Sequence, residues 1–193
     1  MFTEDYLMRI LNQALAILMT AIGLKKSGKY SDALQAVQQA IEQVTTLPVN
    51  VIDQMEDSSL LDMLVAQGQL DTSRLGILAD LYQEQGEIYV LLGQPAQGSI
   101  AFARALRFVL EAALSGTVNL SDGNIGRVEL LTRQLRGYSL PVDTLLALSD
   151  YYQRILEKDD QALAAAGVSQ KQISETLDRL RDQLDGSKNK PGD

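Results

Sequence analysis

The segment GLKKSGK, residues 23–29, is the part of this sequence that comes nearest to a phosphate-binding motif. Gly23, Gly28 and Lys29 have the G-x-x-x-x-G-K spacing of a P-loop, in which backbone N–H groups cradle phosphates and a following Ser or Thr holds magnesium. Tyr30 stands where that hydroxyl residue should be, and the preceding residues have helical rather than strand periodicity. The segment is therefore predicted to be the turn of a helical hairpin, with Gly28 in the left-handed conformation.

Acidic side chains are the second candidate for chemistry. Asp53, Glu56, Asp57 and Asp62 lie close together, and pairs three or four residues apart can share a helix face and hold a hard cation. The spacing matches no EF-hand loop, and acidic residues are also typical of helix starts, where the helix dipole favours them. We expect the second role and predict no metal site.

Two pairs of tyrosines are candidates for stacking on a ligand. Tyr82 and Tyr89 share a helix face at a spacing of i and i+7, and Tyr151 and Tyr152 are adjacent. Packing in the core is the more common role of such residues, and we expect it here.

The composition of the 193-residue chain excludes several kinds of enzyme. It contains neither Cys nor His, which excludes disulfides, thiol nucleophiles, Ser-His-Asp triads and the usual zinc ligand sets. The formal net charge is −8 and the basic residues are scattered, so nucleic acid is not an expected partner. No carboxylates are paired in a recognisable catalytic motif, and we predict a protein that is not an enzyme and has no cofactor.

The most apolar stretch, residues 6–24, approaches the length of a membrane span. Arg9, Asn12 and Gln13 interrupt it, and an acidic rather than a basic segment precedes it, unlike a secretory signal. We expect a buried helix, no membrane partner and a cytoplasmic location, which the lack of Cys also fits.

Apolar residues recur at helical spacing almost throughout, and no convincing run alternates with a period of two. Glycine, proline and capping signals place helices at residues 4–26, 31–45, 53–66, 72–92, 95–114, 125–136, 141–157 and 170–184, with a short helix within 159–167. We predict an all-α fold, with a single domain over residues 1–184 and a disordered tail over residues 185–193.

Two parts of the chain share a helical-hairpin pattern of small and aromatic residues around a turn glycine. The clearer one consists of Tyr82, Gly86, Tyr89, Gly93, Gly98, Phe102 and Ala105. The other, 65 residues earlier, has Ala21, Leu24, Gly28, Ala33, Val37 and Ala40 in the same register. Small residues let antiparallel helices approach closely, and aromatic residues fill the space beside them.

These spacings resemble the tetratricopeptide (TPR) pattern. The offset of 65 residues is close to two TPR units, so the helix between the matches would take the place of a further hairpin. A third, degenerate match turns at Gly137 and Tyr138.

Three longer stretches resemble a bacterial family of TPR-like proteins classed as a domain of unknown function. They are DYLMRILNQALAIL, SLLDMLVAQGQLDTSRLGILADLYQEQGEIYVLLGQ, and LLALSDYYQRI followed by VSQKQISETLDRL. The resemblance implies TPR-like antiparallel hairpins stacked into a short right-handed superhelix, in a bacterial cytoplasmic protein. It implies no activity and no site residues.

In TPR arrays the first helix of each hairpin lines a concave groove. The matched register assigns to this groove Asp80, Gln83, Glu87, Val90 and Leu91 from one hairpin, and Leu15, Leu18, Ile22, Lys25 and Lys26 from the other. A groove of this kind suits a basic or amphipathic helix of a protein or peptide partner, while the acidic residues alone also fit a solvated face. We predict an interaction scaffold; the alternative is a helical sensor that binds a small molecule or peptide in this groove.

Apolar residues of the first predicted helix spread around more than one face, so that helix must be buried on several sides. Either later helices of the same chain or a second subunit cover it. For the second case the predicted self-association residues of a homodimer are Leu7, Leu11, Leu15, Leu18 and Ile22.

Overall fold

The computed structural model describes residues 2–66, 68–115, 122–157, 163 and 168–188. It is 81% helix and 2% strand, which confirms the all-α class. The contacts divide the chain into two compact units, Met1–Phe108 and Val109–Asp193, whereas the sequence predicts a single domain.

The first unit begins with a helical hairpin. Helix α1 (Phe2–Lys26) contacts α2 (Tyr30–Thr45), and the turn between them contains Gly28 with a φ of 76°. The backbone N–H of Lys29 donates to the carbonyl of Leu24 at 3.0 Å, which closes the turn. Because a helix precedes Gly28, the GLKKSGK segment is a hairpin turn, as predicted, and not the strand-to-helix loop of a nucleotide site.

A second hairpin consists of α5 (Thr72–Leu91) and α6 (Pro95–Leu114), and α6 continues beyond the first unit. The helices approach very closely: a Cβ atom added to Gly86 would lie 2.6 Å from the ring of Phe102, and one added to Gly98 would lie 3.1 Å from the carbonyl oxygen of Gly86. The rings of Tyr82 and Phe108 meet edge to face at 5.7 Å. These pairs run in opposite directions along the two helices, which confirms an antiparallel hairpin with small residues at the predicted positions.

The two hairpins are direct neighbours. Both α1 and α2 contact α5, and Arg74 at the start of α5 donates a hydrogen bond of 2.7 Å to the carbonyl of Val44 in α2. The prediction that the helix between the two matches takes the place of a further hairpin is therefore wrong. The offset of 65 residues between the two matches includes the segment that connects α2 to α5. This segment does not lie between the two hairpins, because α1 and α2 contact α5 directly.

The connection forms short elements instead of the single helix predicted over residues 53–66. They are α3 (Val49–Ile52), α4 (Asp57–Met63), and two antiparallel two-residue strands, β1 (Val65–Ala66) and β2 (Gln69–Leu70). The guanidinium of Arg104 donates to the carbonyls of Ile52 and Met55, at 3.4 and 3.0 Å. The bond to Met55 satisfies a carbonyl between α3 and α4, while the carbonyl of Ile52, the last residue of α3, also accepts from the backbone N–H of Met55 at 3.1 Å.

The second unit contains the end of α6, α7 (Asp122–Gln134), α8 (Val142–Leu156) and α9 (Gln170–Lys188), and α8 contacts α9. The predicted capping box of α9 is confirmed: the backbone N–H of Ser169 donates to Oε1 of Gln172 at 2.9 Å, and the N–H of Gln172 donates to Oγ of Ser169 at 3.3 Å. Helix α9 continues four residues beyond its predicted end, so residues 185–188 of the predicted tail are helical. Residues 189–193, and most of the short helix predicted within 159–167, lie outside the described residues.

Tyrosines contribute to the core of both units. Tyr82, Tyr151 and Tyr152 are buried, and the rings of Tyr151 and Tyr152 meet edge to face at 5.6 Å. Tyr89 is half-buried. A core role is thus confirmed for the first three residues, which continue the apolar stripes of α5 and α8.

Helix α1 combines core and surface. Its Asp5–Lys26 part is long and apolar enough, by length and composition, to cross a membrane, a test that core helices and signal sequences also pass. In the first unit, one side of this helix, with Leu11, Ala14 and Ala21, is buried. The opposite side exposes further apolar residues, including Met8 and Met19.

Candidate functional site

The five residues predicted to line a groove from the second hairpin lie on one open side of α5. Asp80, Gln83 and Glu87 are half-buried, and at the end of the helix Val90 and Leu91 are 49% and 50% exposed. Their spacing places them on one arc of α5, and the opposite arc contains buried residues of the hairpin core. Neighbouring helices meet the end of this arc, since Glu87 bonds Lys25 of α1 and the side chain of Val90 lies against Gly98 of α6. The structure thus forms a continuous face, polar in the middle of α5 and apolar at its end.

An ion-pair cluster joins this face to α1. Nζ of Lys25 lies 2.9 Å from Oε2 of Glu84 and 2.5 Å from Oε2 of Glu87. Burial opposes the charge of Lys25, but hydrogen bonds to Glu87 and Glu84 outweigh it, so the pKa of Lys25 is raised. The charge of Glu87 on the face is therefore offset by Lys25, and the end of the face is less acidic than the sequence suggests.

Glu84 is a member of this cluster that the sequence analysis missed. It is buried on the side of α5 that also buries Leu81 and Ile88. A carboxylate in such a position needs a cation. Its partner Lys25 lies in the basic last turn of α1, and the pairing itself spans 59 residues, so no local pattern predicts it.

The other groove residues of the first hairpin differ in exposure. Leu18 is buried, Ile22 is half-buried, and Leu15 and Lys26 are exposed. Leu18 is therefore a core residue, and its assignment to the groove is wrong. Leu15 and Ile22 keep accessible surface on α1, and Lys25 joins α1 to the face of α5.

The predicted self-association residues are also divided. Leu11 and Leu18 are only 4% and 8% exposed within the single chain, so their assignment to a contact with a second subunit is wrong. Leu7 and Ile22 are half-buried, and Leu15 is exposed. From Asp5 to the end of the helix, where the structure describes the side chains, the most exposed large apolar one is that of Met19, at 68%, which the sequence did not single out. A helix that is apolar nearly all round gives no indication from its own sequence of which side its neighbours cover.

The acidic residues near the start of α4 have a structural role through Asp57. Nε of the buried Arg104 donates to Oδ1 of Asp57 at 2.7 Å, and its guanidinium lies 5.3 Å from the ring centre of Tyr82. Burial alone would lower the pKa of Arg104, but Tyr82 and Asp57 more than compensate and raise it. Asp53, Glu56 and Asp62 are exposed, and in the described ranges of the chain no three acidic residues are grouped to hold a metal ion.

The face on α5 and α1 offers contact surface: aliphatic side chains at its end, and amide and carboxylate groups in its middle. Such a mixture suits a polypeptide partner, which presents both apolar side chains and hydrogen-bonding groups. No protein-family model, curated protein or solved structure matches this chain.

Proposed function

We propose that the protein is a non-enzymatic, TPR-like interaction scaffold in which the open face of α5, extended by α1, binds an amphipathic helix of a partner protein. The observation that supports it most is the half-exposed pair Val90 and Leu91 at the end of this face. Single exposed apolar residues are common on protein surfaces. Here two of them adjoin a polar stripe on the first helix of a hairpin, the helix that lines the groove in TPR arrays.

The TPR-like part of the proposal is supported by the packing of the hairpins. Gly86 and Gly98 lie where α5 and α6 approach most closely, and the two hairpins contact each other directly through α5. Stacked hairpins with small residues at these positions are typical of helical repeats. A short right-handed superhelix and a cytoplasmic, bacterial protein belong to the same proposal.

The ion pair of Lys25 with Glu87 indicates the chemistry of the partner. Because Lys25 offsets the carboxylate, attraction of a basic segment to this end of the face is weak, and burial of apolar side chains supplies more of the affinity. The partner is therefore expected to be a helix with an apolar stripe that covers Leu91, rather than a strongly basic segment.

Affinity capture with the intact protein tests the proposal with one matched pair of variants. Leu91→Glu places a charge in the face, while Ile100→Glu places the same charge at a 66% exposed apolar position on α6. We expect a partner that is captured by the wild type and by Ile100→Glu. Its affinity for Leu91→Glu is expected to be weaker by a factor of about ten or more. Equal capture of that partner by both variants, with unchanged helical content, would show that the face is not the binding surface.

A further inference from the structure

A cleft in the second unit is separate from the face on α5 and α1. It lies between α7, the turn that follows it, α8 and α9, and has a volume of about 290 Å³. Pockets that hold small molecules begin at roughly this size, about 300 Å³. Three arginines line the cleft: Arg133 in the last turn of α7, Arg136 in the turn after it, and Arg179 on α9.

The charge of the cleft is opposite to that of the protein. The chain has 17 basic and 25 acidic residues, yet the lining of the cleft contains these three guanidinium groups and a single carboxylate, Glu129. Where the structure describes the chain, no acidic side chain forms an ion pair with Arg133 or Arg136. Arginines on one helix would be explained as a solvated face, but here two helices bring them to one depression. All three arginines are exposed, so solvent screens their mutual repulsion, and their guanidinium groups are accessible to an anion in the cleft.

The groups around the cleft are held by hydrogen bonds. Nη2 of Arg179 donates to Oγ1 of Thr176 at 2.9 Å, and Nε of Arg179 donates to the carbonyl of Glu175 at 3.2 Å. On the other wall the hydroxyl of the buried Tyr152 donates to Oε1 of Glu129 at 2.6 Å. One guanidinium and the carboxylate are thus oriented before any ligand binds, which reduces the entropy lost on binding.

We propose that this cleft binds a small hydroxylated organic oxyanion, a phosphate monoester or a hydroxycarboxylate. Its phosphate or carboxylate group accepts charge-assisted hydrogen bonds from Arg133, Arg136 and Arg179, whose planar guanidinium groups match the geometry of such anions. Glu129 accepts a hydrogen bond from a hydroxyl of the ligand, which distinguishes it from inorganic phosphate. This site is independent of the scaffold proposal, since its residues belong to the second unit and not to the face of α5.

Calorimetric titration of the full-length protein tests the site with glucose 6-phosphate and citrate as probes, and with glucose as the uncharged control. We expect one of the two anions, or both, to bind at one site, and glucose not to bind. Arg136→Gln and Arg179→Gln are each expected to weaken binding about tenfold or more, because a charge-assisted hydrogen bond is lost. Arg181→Gln is the matched control: it removes the same charge from α9, but Arg181 does not line the cleft and its guanidinium bonds Asp178. Its effect is expected to stay within about twofold.

The two probes also identify the chemistry. Binding of glucose 6-phosphate alone assigns a phosphate ester, and binding of citrate alone assigns a carboxylate; either supports the proposal. The proposal is overturned if neither anion binds, or if Arg181→Gln weakens binding as much as Arg136→Gln does. Binding of a single-stranded oligonucleotide in preference to both probes would also overturn it, in favour of a nucleic-acid site. Arg136 is exposed, so Arg136→Gln decides the outcome even if Arg179→Gln disturbs α9.

Discussion

The adjacent residues Tyr151 and Tyr152 are both buried, but their hydroxyl groups have different surroundings. The hydroxyl of Tyr152 donates to Glu129, whereas the hydroxyl of Tyr151 has no hydrogen-bond partner among the described residues. Burial is the main cause that raises the pKa of both groups, and the nearby charge of Glu129 adds to it. Side chains that pack alike can therefore contribute differently to stability.

Replacement of each hydroxyl by hydrogen separates these contributions. Tyr152→Phe removes a hydrogen bond to a charged group and is expected to lower the free energy of unfolding by about 1–2 kcal/mol. Tyr151→Phe removes a buried hydroxyl without a partner, so the free energy of unfolding is expected to stay the same or to rise by up to about 1 kcal/mol. Urea denaturation measures both. A Tyr152→Phe protein as stable as Tyr151→Phe would contradict the assigned hydrogen bond.

At the scale of elements, the contact of α5 with α6 depends on two glycines. Gly86 faces the ring of Phe102 and Gly98 faces the backbone of α5, so neither has room for a larger side chain without movement of its neighbour. Gly76 lies on the same helix as Gly86, but a Cβ atom there would meet nothing within 4 Å. The two positions on α5 thus differ in tertiary packing and not in local helical conformation.

Alanine substitutions at these two positions test the hairpin. Gly86→Ala is expected to destabilise the protein by about 1–3 kcal/mol, because the ring of Phe102 must move. Gly76→Ala is expected to stabilise it by about 0.5–1 kcal/mol through helix propensity alone. Thermal and denaturant unfolding give both values. If Gly86→Ala were as stable as Gly76→Ala, the two helices would not be in close contact at this point.

For the whole molecule, the buried tyrosines predict a loss of stability in alkali. Burial raises the pKa of Tyr82, Tyr151 and Tyr152 above the ordinary value of 10.0. Above that pH the unfolded chain has released these protons while the folded protein keeps them. The folded state then binds more protons than the unfolded state, so the free energy of unfolding falls as the pH rises. Below that pH both states keep these protons, so the tyrosines add no pH dependence to the stability.

The expected slope is up to about 1.4 kcal/mol per pH unit for each tyrosine that stays protonated in the folded state. Urea midpoints measured between about pH 8 and about pH 11 give this slope. In Tyr151→Phe this slope should be smaller by the contribution of one tyrosine, because the Tyr151 hydroxyl no longer titrates. A midpoint that stays constant across the alkaline range would show that these hydroxyl groups ionise equally in both states.

Self-association is the second prediction for the whole molecule. Met8, Leu15 and Met19 form an exposed apolar stripe on α1, at spacings of seven and four residues. The net charge of −8 opposes a dimer only weakly, because repulsion beyond about 8 Å is screened at physiological salt. We expect a dimer at micromolar concentration that Met19→Glu dissociates.

Sedimentation equilibrium is the measurement, with Ile100→Glu as the control for an added surface charge. The buried residues Leu11 and Leu18 are unsuitable test positions, since a charge there would unfold the hairpin rather than separate subunits. A wild-type protein that stays monomeric over about a hundredfold range of concentration would rule out association through this stripe.

Turns and caps could be predicted from the sequence because they depend on residues close together in the chain. Gly28, Gly93 and Gly137 have φ values of 76°, 74° and 88°, as expected for the ends of helices. Ser169 and Gln172 form the capping box of α9 that their spacing predicts. The all-α class follows from the same local signals. Helix bounds agree within a few residues wherever such a signal exists. They fail over residues 53–66, where Arg104 from another helix bonds the backbone between α3 and α4.

The neighbours of each helix were decided only by the tertiary structure. Lys25 and Glu84 are 59 residues apart, and Arg136 and Arg179 come from different elements, so no local spacing connects them. The side of α1 that is covered, the contact between the two hairpins and the cleft of arginines all depend on which apolar faces pack together. Hydrophobic burial is non-directional, so the periodicity of a helix shows that a face is buried but not which helix buries it.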